Sequence, residues 1–141
     1  MNSYTNMLRQ KIKFEILTPV QKVYSGDVTA VRVPGLNGYF GVLPGHTPLL
    51  AALKIGEIKV QIDDETLFFA TSGGFVEVLP HSMSVLAETA ESTAAIDLKR
   101  AQDAKDRAIK RINEGSKTWD VARARVALVR AINRIRVASK T

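Results

Sequence analysis

Arginine and aspartate side chains recur at helical spacing in the last third of the chain. At about 100° per residue, two sets share a helical face: Asp97, Arg100, Arg107 and Arg111 within roughly 80°, and Arg123, Arg130 and Arg134 within about 60°. Guanidinium groups donate paired hydrogen bonds to phosphate or carboxylate, so this spacing predicts an anion-binding surface. The spacing equally allows a solvent-exposed basic stripe, and both interpretations stay open at this point.

Residue patterns typical of catalysis do not occur. The chain has no cysteine, which excludes a thiol nucleophile, a disulfide and a zinc–thiolate site. Gly35, Gly38 and Gly41 are spaced like a phosphate loop, but no helical pattern and no Lys-Ser/Thr pair follow them. His46 and His81 have no neighbouring acid–serine or metal-ligand pattern, which favours turn or surface positions. The sequence therefore predicts a non-enzymatic protein without a metal site.

The elements that position these arginines begin with short alternating runs. Ile12, Phe14 and Ile16 alternate with charged residues. Later runs share this period: 58–62, 67–69, 76–78 and 83–87. Predicted turn residues separate the runs: Gly26, Gly35, Gly38, Gly56, the Asp63–Asp64 pair and the Gly73–Gly74 pair. Many short strands with frequent turns predict an antiparallel β-sandwich or barrel.

After the predicted strands, small or apolar residues recur every three or four positions. The residues of the new period are small or apolar: Leu98, Ala101, Ala108 and Ile112, then Ala124, Leu128, Ala131 and Ile135. Ser92 or Thr93 is predicted to cap the first helix, with Asp97 in its opening turns. Gly115 is predicted to end that helix and to allow the chain to reverse.

Both predicted helices are rich in alanine, which lets them pack closely as a hairpin. Such a hairpin buries little apolar area, so we expect it to be marginally stable alone and able to leave its docking site. The predicted fold is α+β and mainly β. An antiparallel β-sandwich covers residues 1–92, and an antiparallel α-helical hairpin covers residues 93–141.

Charge is distributed unevenly along the chain. Residues 1–96 carry 7 Lys/Arg and 9 Asp/Glu, whereas residues 97–141 carry 13 and 5, for a total of +6. The basic end predicts an anionic partner, either nucleic acid, anionic lipid, acidic protein or nucleotide phosphates. No apolar run approaches the roughly 20 residues of a membrane span, and the polar N-terminus lacks a secretory segment. We therefore expect a soluble intracellular protein that reaches a membrane only through a partner.

Three motifs resemble one family. They are GYFGVLPGHTPLL at Gly38–Leu50, SGGFVEV at Ser72–Val78 and IDLKRA at Ile96–Ala101. Their order and distances are similar to those of the epsilon subunit of the bacterial F-type ATP synthase, over about residues 12–140. The resemblance implies a non-catalytic subunit of the central stalk, peripheral at the cytoplasmic face of the plasma membrane. It requires no cofactor.

The resemblance also implies partners and a regulatory role. The β-sandwich would bind the gamma subunit and the c-ring, and the hairpin would dock on the sandwich or extend toward the alpha and beta subunits. The extended form would inhibit ATP hydrolysis as basic residues meet an acidic segment of beta. The residues implied in that contact are Arg123, Arg125, Arg130, Arg134 and Arg136.

Some family members bind ATP on the folded hairpin as a regulatory ligand. The positions that match their pattern are Glu91, Asp97, Arg100, Arg107, Arg130 and Arg134. In the first motif the family usually has Gly-Glu-Leu/Ile-Gly, so Tyr39 replaces a carboxylate, whereas His46 keeps its place. The resemblance therefore implies an aromatic rather than a charged contact of Tyr39 with the c-ring or gamma.

The alternative function is a β-sandwich module whose basic hairpin binds nucleic acid. It predicts steeply salt-dependent binding. The hairpin has a single aromatic residue, Trp119, and so lacks a stacking platform, which favours a function without nucleic acid. Trp119 itself fits either a hydrophobic staple of the hairpin or an interface anchor.

Overall fold

The computed structural model describes residues 10–140. Within them, eight strands precede two helices. The strands are β1 Ile12–Leu17, β2 Lys22–Val28, β3 Ala30–Gly35, β4 Gly38–Val42, β5 Leu49–Ile62, β6 Glu65–Val78, β7 Ser82–Ala87 and β8 Ala90–Ser92. A 3-10 turn, Thr93–Ala95, leads to helices α1 Leu98–Glu114 and α2 Val121–Ala138.

The strands form one hydrogen-bonded sheet in the order β2-β1-β7-β6-β5-β3-β4, and β8 pairs with β6. Neighbours are antiparallel except β1 and β7, which run parallel. β2 also packs against β5 and β8, to which it has no ladder, so the sheet folds back on itself around a core. The alternation predicted for β1 is confirmed, since Ile12, Phe14 and Ile16 are each at most 1% exposed in that core.

Several glycines predicted to mark turns lie inside strands instead. Gly26 is in β2, Gly56 in β5, and the Gly73–Gly74 pair in β6. A Cβ on Gly56 would lie 2.6 Å from Cβ of Pro34, and one on Gly74 would lie 2.0 Å from a backbone oxygen of β7. The prediction of turns there is wrong, and at Gly56 and Gly74 the missing side chain allows close approach to a neighbouring strand.

The hairpin begins later than predicted. Ser92 ends β8, so neither it nor Thr93 caps α1. The cap is Asp97, whose Oδ1 accepts a hydrogen bond from the Arg100 amide at 3.0 Å. Gly115 ends α1 as predicted, with φ of 86°. Asp120 caps α2 in the same way as Asp97 caps α1.

Alanines form the seam between the two helices, and α2 alone carries most of the contact with the sheet. The seam residues are 5% exposed or less: Ala101, Ala108, Ala124 and Ala131. On the sheet side, Val137 is fully buried in a small second core with Ala70 and Ile96. Asn133 donates a 2.8 Å hydrogen bond to the Gly56 carbonyl. The hairpin therefore docks through the C-terminal half of one helix.

Candidate functional site

A cleft of about 480 Å³ opens between β8, the start of α1 and the second half of α2. Five of the six residues predicted to bind ATP line it: Glu91, Asp97, Arg100, Arg107 and Arg134. The sixth, Arg130, lies one helical turn from Arg134 and lines a small adjoining cavity that Arg134 shares. The fold therefore brings together one set of carboxylates and arginines from three separate elements.

Glu91 and Arg134 close the cleft on its inner side. The Arg134 Nε atom donates to Glu91 Oε1 at 2.7 Å, and the two side chains are 37% and 32% exposed. Glu91 comes from the sandwich and Arg134 from α2, so this ion pair also holds the hairpin down. A ligand phosphate that reaches Arg134 must share it with Glu91.

Asp97 lies at the opposite wall. Its Oδ1 atom is used by the helix cap, and within residues 10–140 its Oδ2 atom has no hydrogen-bond partner. A carboxylate oxygen of this kind can accept a hydrogen bond from an exocyclic amino group of a base. The cap also holds the first turn of α1, which orients Arg100 toward the cleft.

Most of the arginines on this side of the hairpin have no acidic partner. Across the described part of the chain, five of them form no salt bridge: Arg100, Arg107, Arg111, Arg123 and Arg130. Their like charges repel each other by a few tenths of a kcal/mol per neighbouring pair. An anion in the groove would offset that repulsion, so the arrangement favours the anion-binding interpretation over a simple solvated stripe.

The five arginines predicted to meet the beta subunit do not share one face of α2. Arg123, Arg130 and Arg134 point toward the cleft side, whereas Arg125 and Arg136 lie about 150° away around the helix. The second face also carries Val129, which is 51% exposed. In the docked hairpin this second face is open while the cleft-side arginines border the groove.

Tyr39 and His46 lie at opposite ends of β4, since Tyr39 pairs with Pro34 beside the β3–β4 turn and His46 follows the other end. Tyr39 is 46% exposed. Its hydroxyl accepts a 3.0 Å hydrogen bond from the Glu57 amide, and the Arg32 guanidinium lies 5.1 Å from its ring centre.

His46 lies in the loop after β4. Its Nδ1 atom is 2.6 Å from the Thr47 carbonyl oxygen, and the neighbouring Gly45 amide donates to the Pro80 carbonyl at 2.7 Å. The fold thus places His46 beside the β6–β7 turn. It does not bring His46 and Tyr39 into one site.

Two hairpin residues that the sequence analysis missed, Asn133 and Lys140, hold the hairpin on the sheet. Asn133 binds the Gly56 carbonyl, and Lys140 lies 3.9 Å from Glu57 Oε2 and 5.1 Å from the Phe68 ring centre. Asn133 was detectable as the one uncharged polar residue of α2, whose other residues are aliphatic or arginine. No sequence pattern near Lys140 or Glu57 indicates their contact, because it depends on how α2 packs on the sheet.

Comparison with known protein families identifies the family to which the chain belongs. Residues 11–93 match the model of the ATP synthase delta/epsilon chain β-sandwich domain, and residues 95–139 match the model of its long α-helix domain. The chain belongs to the ATP synthase delta/epsilon chain family. This membership confirms the resemblance carried by the three motifs, and with it a sandwich followed by two helices. The chain is thus a component of ATP synthase, which argues against the nucleic-acid module.

Curated relatives carry the same family name. An ATP synthase epsilon chain of Koribacter versatilis is 47% identical over 100 residues, which cover 71% of this chain and 70% of the relative. The epsilon chain of Bacillus subtilis is 45% identical over 105 residues, covering 74% and 80%.

Solved structures share the fold at low identity. A chain in the Euglena gracilis mitochondrial ATP synthase, in a structure of OSCP, F1 and c-ring, aligns with a TM-score of 0.76 and 19% identity, covering 86% of this chain and 78% of that one. A chain in the Tetrahymena thermophila mitochondrial ATP synthase central stalk and c-ring aligns with a TM-score of 0.55 and 13% identity, covering 92% and 95%.

Two further observations concern only residues 10–140. Neither helix there is long and apolar enough to cross a membrane. No group of three or more histidine, aspartate or glutamate side chains lies close enough to hold a metal ion.

Proposed function

We propose that the chain acts as the epsilon subunit of the central stalk in a bacterial F-type ATP synthase, where its hairpin senses ATP and restrains hydrolysis. The assignment to the stalk is supported by the family membership and by relatives named as epsilon chains. The sandwich of residues 1–92 binds gamma and the c-ring, and the hairpin of residues 93–141 is the regulatory unit. The subunit is peripheral, at the cytoplasmic face of the plasma membrane.

The observation that carries the sensing role is the composition of the cleft. Glu91, Asp97 and three arginines line it from β8, the start of α1 and α2, and Glu88 lies beside them in the turn before β8. An adenine amino group near Asp97 Oδ2 and phosphates near Arg100, Arg107, Arg130 and Arg134 would join all three elements, with Arg130 reached through the adjoining cavity that it shares with Arg134. A ligand that binds only this joined form stabilises it by mass action. ATP therefore favours the docked hairpin.

Inhibition follows from the other state of the hairpin. When α2 leaves the sheet, the cleft-side arginines lose Glu91 and any bound phosphate, and they become available to the acidic segment of beta. Arg125 and Arg136 are open in both states. Attraction between such surfaces weakens as ionic strength rises. ATP and beta thus compete for Arg130 and Arg134.

The sandwich presents Tyr39 and His46 toward gamma and the c-ring. Tyr39 offers an aromatic ring that the Arg32 guanidinium and the Glu57 amide hold in place. A ring held on two sides makes a contact at little cost in side-chain entropy. This fits the replacement of the family's usual carboxylate by an aromatic residue.

Calorimetry on the full chain tests the sensing role. The wild type is expected to bind ATP saturably, and Arg100→Ala and Arg130→Ala are each expected to weaken binding by about tenfold, since each removes a charge-assisted contact. Lys110→Ala is the matched control, because Lys110 is a cation of α1 that does not line the cleft. Without saturable binding to the wild type at millimolar ATP, the sensing role is excluded and the arginines serve beta alone.

A further inference from the structure

We propose that the nucleotide site extends into a second cleft at the tip of the hairpin, which binds phosphates beyond the third in nucleotides with a longer polyphosphate chain. The inference rests on the nucleotide site proposed above. The second cleft has a volume of about 400 Å³ and lies between α1 and α2 next to the Gly115 turn. Of the residues in the ATP-binding pattern, only Arg107 lines it.

The second cleft continues the first one. Ala104 and Arg107 line both. In the first cleft the carboxylates of Glu91 and Asp97 lie at the end away from the hairpin tip, and Arg107 lies toward the tip. A nucleotide whose base is near the carboxylates therefore directs its phosphates past Arg107 and into the second cleft.

The floor of the second cleft is apolar and its walls are basic. The floor consists of small side chains: Ala104, Ala108, Ala124 and Ala127. Because alanines line the seam, the helices leave a groove rather than interlocking side chains. Arg107, Arg111 and Arg123 stand around it, and among the described residues none of the three forms a salt bridge.

One carboxylate lines this cleft and a second lies beside it. Asp120 lines it, but its Oδ1 atom caps α2 by accepting from the Arg123 amide at 3.0 Å. Glu114 accepts a hydrogen bond from the Trp119 indole N–H. The Arg111 guanidinium lies 4.4 Å from the centre of the Trp119 ring, which holds it at the wall.

These positions suit a phosphate chain better than a single anion. Three guanidinium groups and one carboxylate line this cleft. The guanidinium groups are spread along the groove rather than gathered around one point. Guanidinium groups bind phosphate oxygens in pairs, so a chain that follows the groove meets a new donor as it lengthens. A triphosphate held by Arg100, Arg107 and Arg134 ends near Arg107. The fourth phosphate is the first to reach Arg111 and Arg123.

The test compares ATP with adenosine tetraphosphate on the full chain by calorimetry. The wild type is expected to bind the tetraphosphate about tenfold more tightly than ATP. Arg123→Ala is expected to reduce this ratio to about twofold. Lys110→Ala, which removes a cation of α1 that lines neither cleft, is expected to keep the full ratio. That control separates a specific contact from general attraction to a more highly charged ligand.

Trp119 gives a second readout, because it is the one tryptophan in the sequence. Inorganic tetraphosphate should change its fluorescence saturably in the wild type and not in Arg123→Ala. Diadenosine tetraphosphate tests whether the tip of the hairpin accepts a second nucleoside. If it binds as tightly as adenosine tetraphosphate, the second cleft also accepts dinucleotides. If it binds more weakly, the cleft accepts only a polyphosphate chain with a free end.

The two proposals fail differently. If ATP does not bind the wild type, the sensing role is wrong. If ATP binds but the tetraphosphate has no advantage, or keeps its advantage in Arg123→Ala, the second cleft is not a phosphate site and the sensing role stands.

Discussion

Asn133 in α2 donates a 2.8 Å hydrogen bond to the carbonyl of Gly56 in β5, across 77 positions of sequence. Both residues are buried. The next residue of β5, Glu57, contacts Arg32 through Oε1 at 2.6 Å and lies 3.9 Å from Lys140 through Oε2. Two consecutive strand residues thus hold the end of the hairpin and also support Tyr39. The docked state depends on few contacts, so single substitutions should release it.

Asn133→Ala should weaken docking by about 1–2 kcal/mol, because the Gly56 carbonyl loses its partner. Hydrogen exchange of α2 amides in the isolated subunit should then increase about 5- to 30-fold relative to the sandwich core. Alanine has the higher helix propensity, so a weaker helix cannot explain such an increase. Val129→Ala, at an exposed position, is the control. Equal exchange in both variants would mean that the hydrogen bond does not hold the hairpin.

Removal of the residues after Thr93 should leave a folded sandwich that still joins gamma and the c-ring. The main core lies between Ile12 and Ala90, and only the small cluster of Ala70, Ile96 and Val137 is lost. Cooperative unfolding of the truncated chain and its co-purification with gamma are the measurements. A truncated chain without a cooperative transition would show that the proposed division at residues 92 and 93 does not separate two domains.

Neutralising Arg125 and Arg136 together separates inhibition from ATP binding, because the two residues face away from the cleft. The double variant Arg125→Gln/Arg136→Gln should raise ATP hydrolysis by the assembled complex roughly two- to tenfold, as expected for the loss of two exposed ion pairs. Its affinity for ATP as an isolated subunit should stay at the wild-type value. Unchanged hydrolysis in complexes with a full complement of the subunit would exclude this face from the contact with beta.

Gly74→Ala should destabilise the sandwich by about 2–4 kcal/mol. Gly74 has φ of 141°, and an added Cβ would lie 2.0 Å from the Leu86 carbonyl oxygen in the paired strand. Denaturant unfolding measures the change. Gly41→Ala is the matched control, because its Cβ would meet nothing nearer than 4.0 Å, and it should change stability by no more than about 0.5 kcal/mol. Similar losses in both variants would argue against the steric explanation.

Tyr24 should make the fold sensitive to alkaline pH. Burial raises the pKa of Tyr24 above its ordinary value of 10.0, and the negative charges of Glu65 and Asp27 raise it further. The folded state therefore holds the phenol proton more tightly than the unfolded state. Its contribution to stability is complete below pH 10.0 and is lost as the pH rises through the folded-state pKa.

Tyr24→Phe cannot ionise, so its free energy of unfolding should fall less steeply than that of the wild type above about pH 10. Lysines titrate in both proteins, and the difference between the two curves isolates Tyr24. Near neutral pH the two proteins should agree within about 1 kcal/mol, because the ring and its packing on Phe14 and Phe69 remain. Parallel curves at alkaline pH would contradict the assignment.

The parts of this molecule that follow from local periodicity were predictable from sequence. The alternation in β1 specified its buried face, and spacing by three and four placed Arg100 and Arg107 on one side of α1. The same geometry, applied to all five arginines of α2, would have separated Arg125 and Arg136 from the others. Such patterns are predictable because they depend only on the spacing of residues within one helix or strand.

Contacts between distant elements were not predictable. The sequence around Gly56 does not indicate that the Pro34 side chain packs against this residue. The sequence around Lys140 does not indicate its contact with Glu57. The cap of α1 was missed because Ser92 and Thr93 satisfy the local preference as well as Asp97 does. In the structure Ser92 belongs to β8 and Thr93 belongs to the 3-10 turn, so neither residue caps α1. Strand pairing between β8 and β6 decides this, and local sequence does not show it.

The parallel pairing of β1 with β7 sets the order in which the chain can fold during synthesis. β1 leaves the ribosome early and pairs with β2, but the partner of its other edge lies far ahead, as the contact between Glu15 and Ser84 across 69 positions shows. At about 5–20 residues per second, the ribosome takes roughly 3 to 14 seconds to add that stretch. During this time β1 presents an open edge, which exposes the nascent chain to wrong strand pairing. We expect closure of β7 onto β1 to be the late and limiting step in forming the sandwich.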